Sequence, residues 1–113
     1  MPTYRLAFTF TLACLLVGAV RANPAHEQLN AMSESQRRSA LTAFLSKSGE
    51  VCSSVSRTFY QGSDKQGNAF WNAACADGNS YLIQVNNDAA GSTRILSCKV
   101  VKAVGAGTCF TKF

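Results

Sequence analysis

The sequence predicts an α+β fold: one N-terminal amphipathic helix packed on a four-stranded antiparallel β-meander, stabilised by disulfides. Three observations lead there. A single stretch, residues 33–48, carries helical periodicity; the chain from Val51 to Val101 alternates β-rich runs with turn clusters; and five cysteines sit in only 113 residues. That length accommodates one domain and excludes doubly wound dehydrogenases, barrel enzymes and kinases. An apolar content of 47% excludes a wholly disordered chain.

Residues 1–22 read as a secretory signal peptide. A short start bearing Arg5 leads into an uncharged run from Leu6 to Val20, and Val20 and Ala22 occupy the small-residue positions of a cleavage site before Asn23. Such a run is shorter than the ~20 apolar residues of a spanning helix. A cut after Ala25 is less favourable, because Asn23 would take the third position before it. Cys14 as a lipoprotein cysteine is disfavoured, since the apolar run continues past it through Leu15, Leu16 and Val17. Retention of residues 1–22 as an anchor is the stronger rival. Cleavage removes Arg5, Arg21 and Cys14, so the formal charge falls from +5 to +3 and four cysteines remain. An even set in an exported chain is what a disulfide framework requires.

Residues 23–32 are expected to be a flexible lead-in to a single domain, 33–113. Asn23-Pro24 is a capping pair, but Ser33-Glu34-Ser35-Gln36 is the better helix start, with the Ser-x-x-Gln pattern of a capping box. Ala40, Leu41, Phe44 and Leu45 then recur on one face, Arg37 and Arg38 fall on the solvent side, and Gly49 supplies the stop, giving a helix over roughly 34–48. Val51–Gln61 is rich in β-branched and aromatic residues and predicts the first strand. The cluster 62–68 turns the chain into a second strand, 69–76. Asp77-Gly78 is a two-residue hairpin signal before the third, 80–86, and residues 87–91 turn it into the fourth, 92–101. The glycine-punctuated tail, 103–113, suggests a short extra strand.

Hairpin geometry then makes the cysteines interpretable. Cys52, Cys75 and Cys98 are separated by equal intervals, each holding one hairpin, so all three fall at one end of the sheet. Strands lie ~4.8 Å apart and disulfides need Cα atoms within ~6.8 Å. Adjacent strands therefore favour Cys52–Cys75, and Cys98, two strands away, is left for Cys109. A different strand order would select another of the three pairings. Each bond is expected to contribute ~2–4 kcal/mol.

No catalytic constellation is legible. The only histidine, His26, falls in the lead-in and reads as a surface residue. Glu34 suits a helix first turn, and Asp64, Asp77 and Asp88 suit turns. No Cys-x-x-Cys pair suggests zinc or redox chemistry, and Gly105-Ala106-Gly107 is only a fragment of a phosphate loop. The expectation is therefore no enzyme, no metal and no cofactor. Phe59, Tyr60, Phe70, Trp71 and Tyr81 on the strands are read first as core or cross-strand pairs. Were a binding surface present, its candidate residues would be Phe59, Tyr60, Trp71 and Tyr81 with Arg37 and Arg38. Nucleic acid is a poor partner for an exported chain, and the terminal Phe113, a feature of outer-membrane barrels, cannot make a barrel of four or five strands.

The order of helix, strand pair, Asp77-Gly78-Asn79-Ser80-Tyr81 and Asp88-Ala89-Ala90-Gly91-Ser92 resembles the PepSY-like arrangement of small bacterial exported domains. The segment Trp71–Gly78, Trp-x-x-x-Cys-x-Asp-Gly, is also similar to uncharacterised proteobacterial exported proteins. The resemblance implies a regulatory or inhibitory binding role and supplies no catalytic residues. A stapled fold without a catalytic constellation leads to the expectation of a periplasmic or secreted module that binds a protein partner in the envelope through the exposed sheet face or an edge strand. The four cysteines are not general in that family. Two other classes stay open: a small-ligand carrier or small hydrolase with an unrecognised site, and a membrane-tethered accessory subunit if residues 1–22 are retained.

Overall fold

A computed structural model describes residues 23–113; residues 1–22, where a signal peptide is expected, lie outside the described residues. The elements are α1 (Pro24–Ala31), α2 (Glu34–Lys47), β1 (Val55–Ser63), β2 (Ala69–Cys75), β3 (Ser80–Val85), β4 (Thr93–Ser97) and α3 (Cys98–Ala103). The four strands form one antiparallel sheet in sequence order, β1-β2-β3-β4. The class is α+β, with two disulfides.

Strand periodicity assigns the two faces of the sheet. Ala69, Trp71, Ala73 and Cys75 of β2 and Tyr81, Ile83 and Val85 of β3 are buried together with Val55, Leu29 of α1 and Leu41 and Leu45 of α2. This is the main core; α2 starts at a capping box, in which Ser33 accepts from the Gln36 N–H and the Gln36 side chain accepts from the Ser33 N–H, and docks through Leu41 and Leu45. Phe70 and Asn72 point the other way. There the chain after β4 folds back: Val101 of α3 is buried, Phe113 packs edge-on to Phe70, and the Phe110 N–H donates to Asn72. The sheet is thus covered on both faces.

Three expectations need correction. Residues 23–32 are not a loose lead-in. Asn23 accepts from the His26 N–H as N-cap, Pro24 starts α1, and the Asn23 side chain also donates to the carbonyls of Gly67 and Val85. The fourth strand ends at Ser97 rather than Val101, because the Ser97 hydroxyl accepts from the Val100 N–H and caps α3. The tail contributes no strand; it crosses the second face as turns, with Phe110 at φ 62°.

Cys52–Cys75 and Cys98–Cys109 are both formed, with Cα separations of 5.5 and 5.9 Å. Cys52 precedes β1 instead of opening it, since pairing begins at Val55 opposite Cys75. Tyr81 locks the same corner, its hydroxyl donating to the Val51 carbonyl at 2.6 Å.

Candidate functional site

A sheet in sequence order leaves two edge strands, each a row of N–H and C=O groups that another strand can pair with. The two edges of this sheet are treated differently. Along β1 the Val55 N–H donates to the Thr42 hydroxyl (2.8 Å) and the Thr58 N–H to the Glu34 carboxylate (3.0 Å), both from α2. The Gln61 carbonyl is taken by the Phe113 N–H at 3.2 Å. The register also slips twice, between Val55 and Arg57 and between Tyr60 and Gly62. Bulges and occupied donors close this edge to strand addition.

Along β4 the register with β3 is regular from Val85↔Thr93 to Tyr81↔Ser97. The Asn86 N–H donates to the Ser92 carbonyl at 2.8 Å, which fixes the phase of the ladder. Alternation then turns the N–H and C=O groups of Arg94 and Leu96 toward β3, and those of Thr93, Ile95 and Ser97 outward. Among the described residues nothing pairs with the outward groups of Thr93 and Ile95 or with the Ser97 N–H; the Ser97 carbonyl, as N-cap, belongs to α3.

Beside it lies an apolar groove. Because α2 sits over the β1 side of the sheet, the helix-facing side of β3 and β4 is only partly roofed. Ile83, Val85 and Thr93 form the floor, Leu29 of α1 and Met32 at its C-cap one wall, and Leu41 and Phe44 of α2 the other, around a volume of about 240 Å³. Its polar lining is confined to Gln28 and Thr93, which offers no converging set for a polar ligand or a reaction. Two hollows of about 540 Å³ are larger, one between Pro24 and the Ala89–Gly91 turn, the other along α2 beside Ser54. Like the groove, both are open to solvent, but they lack its apolar floor.

The wall formed by α1 is held by a buried cluster. His26 is 8% exposed, and its Nδ1 accepts from the Trp71 indole N–H at 3.0 Å. Tyr60 packs against both rings, at 4.7 Å from His26 and 5.1 Å from Trp71. Burial holds the His26 pKa below its ordinary value, against the opposing pull of Glu27. Arg37 joins the helices to the sheet. It lies 5.1 Å from the centre of the Trp71 ring and donates to the carbonyls of Leu29 and Met32, the Thr58 hydroxyl and Glu34. Burial alone would raise the Glu34 pKa, but the hydroxyl and N–H of Thr58 together with Arg37 hold it below the ordinary carboxylate value.

The sequence candidates therefore divide. Arg37, Tyr60 and Trp71 come together, as a joint rather than an open surface; Arg37 is 16% exposed and Trp71 only 2%. Tyr81 is buried at the disulfide corner, and Phe59 lies on the opposite face beside Phe110. Arg38 alone stays well exposed, at 40%, beside Glu34. His26 is interior, contrary to its reading as a surface residue, because α1 docks where a loose lead-in was expected. An edge strand is among the partner surfaces the sequence leads one to expect, but which edge is open, and the groove beside it, are not legible there.

Among the described residues no three His, Cys, Asp or Glu side chains come together as a metal site, and no helix is long and apolar enough to cross a membrane. Comparison of the chain with protein families, curated proteins and solved structures returns no match.

Proposed function

We propose that this chain is an exported, non-enzymatic binding module that captures an extended segment of a protein partner by adding it as a fifth strand along β4. The contrast between a shut β1 edge and an open β4 edge carries this reading. Strand addition draws affinity from main-chain hydrogen bonds and specificity from pockets for alternate side chains. Both are present: the outward groups of Thr93 and Ile95 with the Ser97 N–H, and the groove between α1, α2 and β3.

Charge narrows the partner. From Thr93 to Val104 the chain carries Arg94, Lys99 and Lys102 and no carboxylate. The occupant that fits is an acidic extended segment with apolar residues at every second position. An envelope location, with residues 1–22 removed, suits two disulfides in a small domain. A regulatory or inhibitory role is what the PepSY-like resemblance adds.

Proline tests the reading. Pro at Ile95 removes an outward N–H and leaves the bonds to β3 in place, whereas Pro at Arg94 removes an inward one. With a fluorescein-labelled hexapeptide alternating Glu and Val as the probe, Ile95→Pro is expected to keep the fold and weaken binding at least about tenfold, the factor that ~1.4 kcal/mol of lost bonding gives. Arg94→Pro is expected to destabilise the sheet itself. Equal binding by wild type and Ile95→Pro would reject strand addition, and concentration-dependent dimerisation abolished by the same variant would reassign the edge to a second copy. The groove also favours a second reading, carriage of a small apolar ligand, although its volume lies below the ~300–1,000 Å³ usual for such pockets. Retention of residues 1–22, which would make the chain a tethered subunit, is decided by the intact mass of the exported protein.

A further inference from the structure

The second face of the sheet holds two buried polar side chains where apolar residues would close it more simply. Asn72 is 0% exposed at the middle of β2, and Gln61 is buried at the second bulge of β1. Unpaired, such groups are costly, so their partners show what the face is built to hold. The Asn72 amide donates to the Gln61 side-chain oxygen at 3.1 Å. Every further bond made by these two side chains goes to main chain of the C-terminal segment. The Gln61 amide donates to the carbonyls of Thr108 and Thr111, both at 2.9 Å, and the Asn72 oxygen accepts from the Phe110 N–H at 2.6 Å. The bulge also aims the Gln61 carbonyl at the Phe113 N–H.

Side chains of the segment enter this arrangement through two aromatic rings three residues apart and through Lys112, whose ammonium lies 4.6 Å from the centre of the Tyr60 ring and 5.6 Å from that of Phe59. Phe110 packs near Phe59, at 6.2 Å between ring centres, with Arg57 lying 4.5 Å from the centre of the Phe110 ring; Phe113 packs against Phe70 at 5.4 Å. The segment is held without being well seated. Phe113 remains 74% exposed, and Phe110 sits at φ 62°, a left-handed conformation unfavourable to a residue with a Cβ. Gly105 and Gly107, both at positive φ, turn the chain before it. The Cys98–Cys109 bond fixes the base of the segment, so only the four residues after Cys109 can leave while the disulfide is intact.

We propose that Gln61 and Asn72 form a clamp for peptide main chain, that residues 110–113 are its displaceable occupant while Thr108 stays fixed beside the disulfide, and that the ligand class it accepts is an extended segment with aromatic side chains three residues apart. The clamp is separate from the β4 edge, on the opposite face from the groove, and does not depend on the strand-addition reading.

The test uses the full chain and, as the probe, an acetylated peptide of residues 110–113. Phe110→Ala with Phe113→Ala loosens the resident segment and keeps both disulfides. By calorimetric titration this variant is expected to bind the probe at least tenfold more tightly than wild type, where the tethered segment competes at an effective concentration of the order of millimolar. Adding Asn72→Leu is expected to remove that gain. Equal affinity of wild type and the double variant, or binding unaffected by Asn72→Leu, overturns the proposal. Should the double variant not fold, wild type decides: a few millimolar probe is expected to accelerate exchange of the Phe110 amide proton, and unchanged exchange overturns the proposal.

Discussion

Acidification from pH 7.5 to 5 acts on the docking of α1 through one atom, Nδ1 of His26. That nitrogen accepts from the Trp71 indole N–H, so the folded ring is neutral with its proton on Nε2. A proton on Nδ1 destroys the bond and places a charge between Tyr60 and Trp71. Burial lowers the folded pKa below the unfolded value of about 6.5, and Glu27 only partly offsets this. The unfolded chain therefore binds the proton first, and stability falls as pH falls. The contribution of His26 is complete above about pH 6.5 and is lost progressively below it, until the folded pKa is reached. One proton gives a slope of at most ~1.4 kcal/mol per pH unit, hence a loss of at most ~2 kcal/mol by pH 5. Against a total of ~5–15 kcal/mol this is readily measured. The assay is urea unfolding followed by the fluorescence of the only tryptophan, Trp71, at half-unit steps of pH. His26→Asn places an amide oxygen near the position of Nδ1 and does not titrate, so its stability is expected to be flat from pH 7.5 to 5. Glu34, Asp64, Asp77 and Asp88, all with lowered pKa values, lose their contributions only at lower pH. A wild-type profile flat over that range, or an equal slope in His26→Asn, would refute the reasoning.

Two further perturbations separate joints from surface. Arg37→Ala removes the hydrogen bonds to the end of α1 and to Thr58 together with the stacking on Trp71, and is expected to cost ~2–3 kcal/mol in urea unfolding. Arg38→Ala, which loses one exposed ion pair with Glu34, is expected to stay within ~0.5 kcal/mol of wild type. Replacing Cys52 and Cys75 together by serine opens a loop with a sequence separation of 23 and is expected to lower stability by ~3 kcal/mol, read as a fall in Tm.

How much of this was readable in advance follows from where each signal is stored. The capping box at Ser33–Gln36 and the Asp77-Gly78 turn are local chemistry, and with them came α2 and the hairpins. The cysteine pairing was readable because two hairpins return the chain to one end of the sheet. Helix α1 was missed because it has only eight residues and one strongly apolar buried position, Leu29. What holds it, Asn23 to Gly67 and Val85 and His26 to Trp71, comes from partners more than forty residues away. Ile95, Leu96, Val100 and Val101 read locally as one strand, and only the Ser97 hydroxyl divides them into β4 and α3. The edge asymmetry is legible in neither strand, since Thr42 and Glu34 of α2 are what close β1.

Strand addition along β4 is tested most directly by residue-resolved amide hydrogen exchange, without and with the alternating Glu/Val peptide. In the free protein, slow exchange is expected at Arg94 and Leu96, whose N–H groups face β3, and fast exchange at Thr93, Ile95 and Ser97. With saturating peptide, these last three are expected to become protected while the β1 amides stay unchanged. Protection of Thr93, Ile95 and Ser97 already in the free protein, or peptide-induced protection that appears along β1 and not along β4, would contradict it.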